Sequence, residues 1–126
     1  MKTLTRAEEQ LMHYLWKIEK GVLKEIVDQF PEPKPATSTV GTVIRNLVEK
    51  KFIAFERYGK VNLYYPRIGK NEYFKVQFNG LMNDYFNNSV KKFASFFSSD
   101  TDLNLTELEE IKYIIEDEIN KKKLNG

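Results

Sequence analysis

The chain has 126 residues, of which 41% are hydrophobic and 30% are charged, and its formal net charge is +2. This length allows one domain, or a small domain with an extension, and a genuine hydrophobic core. The absence of cysteine excludes disulfides, thiolate metal sites and a cysteine nucleophile. The apolar runs are only a few residues long, so we expect no membrane insertion, no signal peptide and a cytoplasmic location.

The charges are unevenly distributed along the chain. Residues 1–68 hold 12 Lys and Arg against 8 Asp and Glu, a net charge of +4, whereas residues 69–126 hold 8 against 10, a net charge of −2. A basic first part and an acidic second part fit a nucleic-acid-binding region followed by an assembly region.

Two helical patterns precede a proline-rich turn. Thr5 and Glu8 have the spacing of a capping box, and the apolar stripe that follows predicts a first helix ending near Gly21. Residues 22–30 predict a short second helix. The segment 31–35 contains three prolines and cannot be helical, so it forms the turn of the motif.

A third helix is predicted over residues 37–51. One face of this helix is apolar and carries Val40, Val43, Ile44 and Leu47. The remaining surface is short, polar or basic and carries Thr37, Ser38, Thr39, Gly41, Thr42, Arg45 and Asn46. A helix with such a face, lacking Glu and Lys pairs, is suited to lie against a partner.

A predicted hairpin follows the third helix. Residues 53–58 and 61–66 alternate with the period of a strand, and Gly59 marks the turn between them. Arg57 and Lys60 are candidates to contact DNA phosphates or the minor groove, although charges at a hairpin tip are also common on ordinary solvated surfaces. The order of the elements predicts a winged helix-turn-helix domain over residues 1–68, with double-stranded DNA as partner.

Recognition helices place their N-terminal residues near the base edges of the major groove. Among the polar residues of the third helix, only Arg45 has the planar fork that reads guanine with two hydrogen bonds. Gly41 contributes no side chain. We therefore expect sparse direct readout and a large contribution from phosphate contacts and DNA shape.

From residue 69 onwards the pattern becomes helical and aromatic, with a break predicted at 87–89. A capping box at Thr106 and Glu109 predicts the start of a final helix after a polar loop at 98–102. Burial of this surface needs a partner, so residues 69–126 are predicted to form a helical dimerisation domain. Its candidate interface residues are Phe74, Phe78, Leu81, Met82, Tyr85, Phe86, Phe93, Ile111 and Ile115. A small-molecule effector among the aromatic residues 73–97 is the alternative.

The sequence offers no enzyme site. His13 is the only histidine, and its position off the apolar stripe of the first helix predicts a surface residue. No set of residues with the spacing of a metal site or of a Ser/His/Asp catalytic triad is present. We expect no catalytic residues, no metal and no cofactor.

The chain resembles the penicillinase-repressor (BlaI/MecI) family of bacterial transcriptional regulators over nearly its whole length. Three segments carry the resemblance, namely Leu4–Trp16, Thr39–Ile53 with its Thr-Val-Gly-Thr core, and the hairpin Gly59–Pro66. The resemblance implies a winged-helix domain, a C-terminal helical dimerisation domain and repression by occupation of a palindromic operator. It places Ser38, Thr39, Gly41 and Thr42 at the base-facing part of the recognition helix.

The resemblance also implies a regulatory partner. Family repressors of antibiotic resistance are inactivated by proteolysis after signalling by a membrane metalloprotease receptor. The cleaved Asn-Phe pair of those repressors aligns near Phe96 and Phe97, and this chain has no Asn-Phe dipeptide. The copper-responsive relatives carry a cysteine cluster, so that branch is excluded.

The sequence thus predicts a dimeric transcriptional repressor that binds a pseudo-palindromic operator and is induced by proteolysis in the dimerisation domain. Two alternatives stay open at this point. One is a winged-helix module that binds proteins and ignores DNA, and the other is a regulator that responds to a small molecule.

Overall fold

The computed structural model describes residues 3–126, which form two compact units, the first ending at Gln77 and the second beginning at Phe78. The elements are α1 (Arg6–Ile18), α2 (Leu23–Asp28), α3 (Thr37–Glu49), β1 (Ile53–Tyr58), β2 (Val61–Pro66), α4 (Lys70–Phe86), α5 (Val90–Ser99) and α6 (Leu105–Leu124). This order confirms the predicted fold class, mainly α with a small β-hairpin wing. None of the helices described is long and apolar enough to cross a membrane. The domain boundary at residue 68 stays a prediction, because α4 runs through the junction of the two units.

The hydrophobic core of the first unit lies among α1, α2, α3 and the start of β1. Its largest fully buried side chains are Leu11, Met12, Leu15, Ile26, Val40, Ile44, Leu47, Phe52 and Ile53. Each helix contributes the apolar stripe that its sequence predicts, so the helices bury one face and leave the other exposed.

A buried carboxylate joins the beginning of α1 to the end of α3. Glu8 is 3% exposed, and its Oε1 accepts hydrogen bonds from the Thr5 backbone N–H at 2.8 Å and from Lys50 Nζ at 2.6 Å. The Thr5 side chain accepts in turn from the Glu8 N–H, which completes the predicted capping box. Burial by itself raises the pKa of Glu8, but the hydrogen bonds from Lys50 and Thr5 outweigh it and hold the pKa below 4.5.

The wing is attached to the helices at several points. β1 and β2 pair antiparallel with Tyr58 opposite Val61, and Gly59 in the turn has a φ of 60°. Gly21, between α1 and α2, exchanges two backbone hydrogen bonds with Tyr64 of β2, at 3.0 and 2.9 Å. A Cβ at Gly21 would lie 2.9 Å from Ile18 Cδ1, the end of a flexible side chain that could move aside.

The second unit is built from aromatic contacts and has little interior of its own. Asn87 and Asn88 have positive φ values and separate α4 from α5, as the sequence predicted. Phe93 of α5 contacts Phe78 and Phe86 of α4 with ring centroids 5.3 and 5.6 Å apart, both edge to face. No residue from 78 to 126 is fully buried.

The predicted start of the final helix was wrong by two residues. The capping box is formed by Asn104 and Glu107, and not by Thr106 and Glu109, so α6 begins at Leu105. The reason is that Asn is at least as good an N-cap as Thr, and Asn104 also has an acidic residue three positions later.

We predict that Lys50→Met destabilises the first unit at neutral pH by about 1–3 kcal/mol. This is less than for a fully buried pair because the Lys50 side chain is 25% exposed. The Glu8 carboxylate would lose its cation and stay buried. Because its pKa is lowered in the folded protein, the stabilisation is present above pH 4.5 and is lost as the pH falls below it.

Thermal or urea unfolding at pH 7 and pH 3 measures this effect, with Lys51→Met at an exposed neighbouring position as control. The destabilisation should be smaller at pH 3 than at pH 7, because the protonated fraction of Glu8 rises as the pH falls. A loss of stability that is equal at the two pH values would contradict this role of Lys50.

Candidate nucleic-acid interface

The helix α3 has the two faces that its sequence predicts. Val40, Ile44 and Leu47 are buried in the core, and Val43 is half-buried. The polar residues of the other side are exposed, except for the half-buried Gly41, and they are Thr37, Ser38, Thr39, Thr42, Arg45 and Asn46. The fold therefore brings together on one accessible surface all the residues that the sequence proposed on this helix.

The N-terminus of α3 has no side-chain cap. Its N-cap is Ala36, which provides no side-chain acceptor for the first N–H groups. The positive end of the helix dipole and these N–H groups favour an anion such as a phosphate. The Thr42 hydroxyl donates to the Ser38 carbonyl at 3.1 Å, which leaves the Thr42 methyl as its principal contact group.

A cleft of about 370 Å³ separates α3 from the wing. Arg45 and Gly41 line one side, and Asn62 and Tyr64 of β2 line the other. A Cβ built on Gly41 would meet no heavy atom within 4 Å, so the missing side chain leaves this part of the cleft open. Asn62 Oδ1 is buried without a hydrogen-bond partner among the residues described.

The wing carries the predicted basic residues in exposed positions. Arg57 is exposed, and its Nε donates to the carbonyl of Gly59 at 3.1 Å, which ties this side chain to the hairpin turn. Lys60 is exposed at the turn itself. The structure thus places Lys60 in the turn and Arg57 in β1, two positions before the turn.

Sequence reasoning missed one basic residue of this surface. Lys24, in the first turn of α2, lines a second cleft of about 280 Å³ together with Lys60 and Asn62. None of the lining residues described for this cleft or for the cleft beside α3 is acidic. No pattern in the sequence singles out Lys24, because a lysine at the start of a short helix is common. Its position matters only because the Gly21–Tyr64 pairing brings the wing beside it.

The predicted dimerisation residues are divided between the two units. Phe74 belongs to the first unit and is 62% exposed. Six others line a cavity of about 510 Å³ in the second unit, namely Phe78, Leu81, Met82, Tyr85, Phe86 and Phe93. On α6, Ile111 is half-buried and Ile115 is 53% exposed. His13 is exposed, as predicted for a surface residue.

Comparison with known proteins identifies the family. The family model described as "Penicillinase repressor" matches residues 4–117. The chain belongs to the penicillinase repressor family. The penicillinase repressor of Bacillus licheniformis is 23% identical over 121 residues, which are 95% of this chain and 94% of the relative.

The fold of one solved structure, that of a BlaI DNA-binding domain, agrees with this assignment. The solution structure of the DNA-binding domain of the repressor BlaI is similar with a TM-score of 0.50 and 23% identity, and the match covers 58% of this chain and 94% of that one. Bordetella bronchiseptica BpsR matches with a TM-score of 0.48 and 19% identity over 94% of this chain and 77% of that one. The protein thus belongs to a family of transcriptional repressors, which is not an enzyme class.

Proposed function

We propose that this penicillinase repressor family protein acts in the cytoplasm as a homodimer that binds a pseudo-palindromic operator through α3 and the wing. The observation that carries the proposal is the exposed polar face of α3 beside a basic wing. The helix α3 would enter the major groove, and its first residues, from Thr37 to Thr42, would lie nearest to the base edges.

The chemistry of the α3 face supports readout with few direct base contacts. Arg45 is the residue of this face that can hold guanine O6 and N7 with two hydrogen bonds. Thr42 offers a methyl group that can contact a thymine methyl, since its hydroxyl is engaged with Ser38. Thr39 and Asn46 at the edge of the face are suited to further polar contacts.

The basic side chains around the two clefts would bind the DNA backbone. Lys24 and Lys60 are exposed beside the wing, and the uncapped start of α3 favours a phosphate. Arg57, tied to the turn by its hydrogen bond to Gly59, would carry its guanidinium into the same region. Because each phosphate contact releases counterions, the affinity should fall steeply with salt.

The exposed apolar surface of the second unit supports dimerisation. Leu81, Tyr85, Ile114 and Ile115 are 49%, 74%, 64% and 53% exposed in one protomer. Since soluble monomers rarely leave large apolar surfaces uncovered, a second copy is the favoured occupant. A two-fold dimer would place two α3 helices about 34 Å apart, or at a multiple of this distance, and would match a palindromic site.

A small molecule is the competing occupant of the second unit. The cavity of about 510 Å³ beside Phe86 and Phe93 has an apolar lining and a volume within the range of ligand sites, about 300–1,000 Å³. In a dimer the same surface would be covered by the partner copy. A protomer that stays monomeric and is stabilised by an apolar ligand would favour the effector instead.

We predict that Arg45→Ala weakens operator binding by about 1–3 kcal/mol and relaxes the preference at one base pair, because a bidentate contact to guanine would be lost. Fluorescence anisotropy on the upstream DNA and on a scrambled sequence, each at two salt concentrations, measures this. Lys122→Ala in α6 removes one positive charge from the second unit and serves as control.

An Arg45→Ala protein with unchanged operator affinity would remove Arg45 from the interface. Equal binding of the unmodified protein to both DNAs, abolished by salt, would leave only a non-specific basic surface. Absence of binding to either DNA would favour a winged helix that binds another protein.

We predict that Leu81→Asp converts the dimer into monomers, because a carboxylate would be buried without a partner in the interface. Leu81 is a sharper test than Phe78 or Phe86, whose rings contact Phe93 within the protomer and whose loss would also damage its fold. Analytical ultracentrifugation over a concentration series measures the change. Asn79→Asp adds the same charge to the same helix and should stay dimeric; a Leu81→Asp dimer would place the interface elsewhere.

Induction by proteolysis is the remaining part of the proposal. A cut in α5 near Phe96, which is 46% exposed, would separate α6, with Ile111 and Ile115, from the rest of the chain and would weaken the dimer and its operator binding. Intact-mass spectrometry after incubation with the cognate membrane metalloprotease receptor measures cleavage. Recovery of only the full-length chain would overturn this route, whose Asn-Phe signature is missing from the sequence.

A further inference from the structure

A cleft of about 430 Å³ in the first unit lies between α1 and the first two turns of α4. None of its described lining residues belongs to α3 or to the wing, so it is separate from the candidate DNA interface. Its lining combines aromatic rings with charged groups, and the residues that matter here are Glu9, His13, Trp16, Lys70, Tyr73 and Phe74. This volume and this mixture are typical of sites for small molecules.

Two aromatic side chains of the cleft, those of Trp16 and Tyr73, are fixed by hydrogen bonds. Trp16 Nε1 donates to the carbonyl of Ile68 at 2.8 Å, and the Tyr73 hydroxyl donates to Glu9 Oε2 at 2.8 Å. The rings of Trp16 and Tyr73 lie 5.7 Å apart at an angle of 42°. Because these rings are held before any ligand arrives, binding would cost little side-chain ordering.

The carboxylate of Glu9 is held in place by Tyr73 and keeps one oxygen available. Burial, followed by the hydrogen bond to Glu9, raises the pKa of Tyr73 to about 12, so its hydroxyl stays protonated and donating at neutral pH. Glu9 Oε1 lies 4.0 Å from His13 Nε2, which is too long for a hydrogen bond. This oxygen can therefore accept from a further donor.

The positive charge of Lys70 competes only weakly with a ligand for the carboxylate of Glu9. Lys70 is exposed at the first residue of α4, so water and salt screen its charge. Glu9 is less exposed, and its position is fixed by Tyr73. A cation near Glu9 would also lie beside Trp16, the side chain that gives the strongest cation–π attraction.

We propose that this cleft binds a small planar aromatic cation, with its ring against Trp16 and its charged N–H group donating to Glu9 Oε1. Such a site would be a ligand-binding function of the DNA-binding unit itself. The proposal does not rest on operator binding or on dimerisation, so its test can fail while those proposals stand.

Trp16 is the only tryptophan of the chain, so its fluorescence reports directly on the cleft. The full-length protein is titrated with benzamidinium, with its neutral analogue benzamide and with the anion benzoate. We expect a saturable change with benzamidinium and about tenfold weaker binding of benzamide, since a charge-assisted hydrogen bond is roughly twice as strong as a neutral one.

The variant Glu9→Gln keeps an oxygen that can accept from Tyr73 but removes the negative charge. We expect it to weaken benzamidinium binding about tenfold and to leave benzamide binding nearly unchanged. Glu19→Gln changes an exposed carboxylate just after α1 that does not line the cleft, and it should behave as the unmodified protein.

Several results would overturn the proposal. With the unmodified protein, these results are the absence of a saturable change with benzamidinium, or equal affinity for benzamide and benzamidinium. Tighter binding of benzoate would also overturn it and would assign the cleft to an anion held by Lys70. With the variant, the contradicting result is unchanged benzamidinium binding by Glu9→Gln. Circular dichroism confirms that the variant is folded. If it is not, the comparison of the three probes on the unmodified protein still decides the outcome.

Discussion

The first unit depends on one buried carboxylate, that of Glu8. Burial of an ionised carboxylate is costly, and the cost is offset here because Glu8 accepts from the Thr5 backbone and from Lys50. Since Lys50 is the C-cap residue of α3, the same pair fixes the end of the candidate recognition helix against the beginning of α1. The exposed face of α3 is therefore held by an interaction between residues that are not among the proposed DNA contacts.

The wing is positioned by backbone hydrogen bonds rather than by its own stability. A two-stranded hairpin is only marginally stable alone. Gly21 pairs with Tyr64 and so anchors β2 to the segment between α1 and α2, while the Arg67 N–H donates to the carbonyl of Phe52 at 2.8 Å and extends the pairing at the open end of the hairpin. These contacts bring Lys24 and Lys60 together around one cleft and extend the basic surface beyond α3.

The two units differ in how they are stabilised. The first has a compact apolar core, whereas the second has aromatic contacts such as those of Phe93 but no fully buried residue between 78 and 126. A helical unit of this kind gains most of its stability from surface that it covers on association. Its exposed leucine, isoleucine and tyrosine side chains are thus consistent with the proposed dimer, in which assembly and folding of the second unit would be coupled.

The sequence by itself determined the elements and the two faces of α3, because helical periodicity and the proline turn are local signals that tertiary contacts did not override here. It also placed Arg45 on the exposed face. It could not pair Glu8 with Lys50, 42 positions away, or bring Lys24 to the wing, since no local pattern encodes contacts between distant segments. Only the tertiary structure decided those contacts and the cleft around Trp16, because packing alone brings together residues that are far apart along the chain.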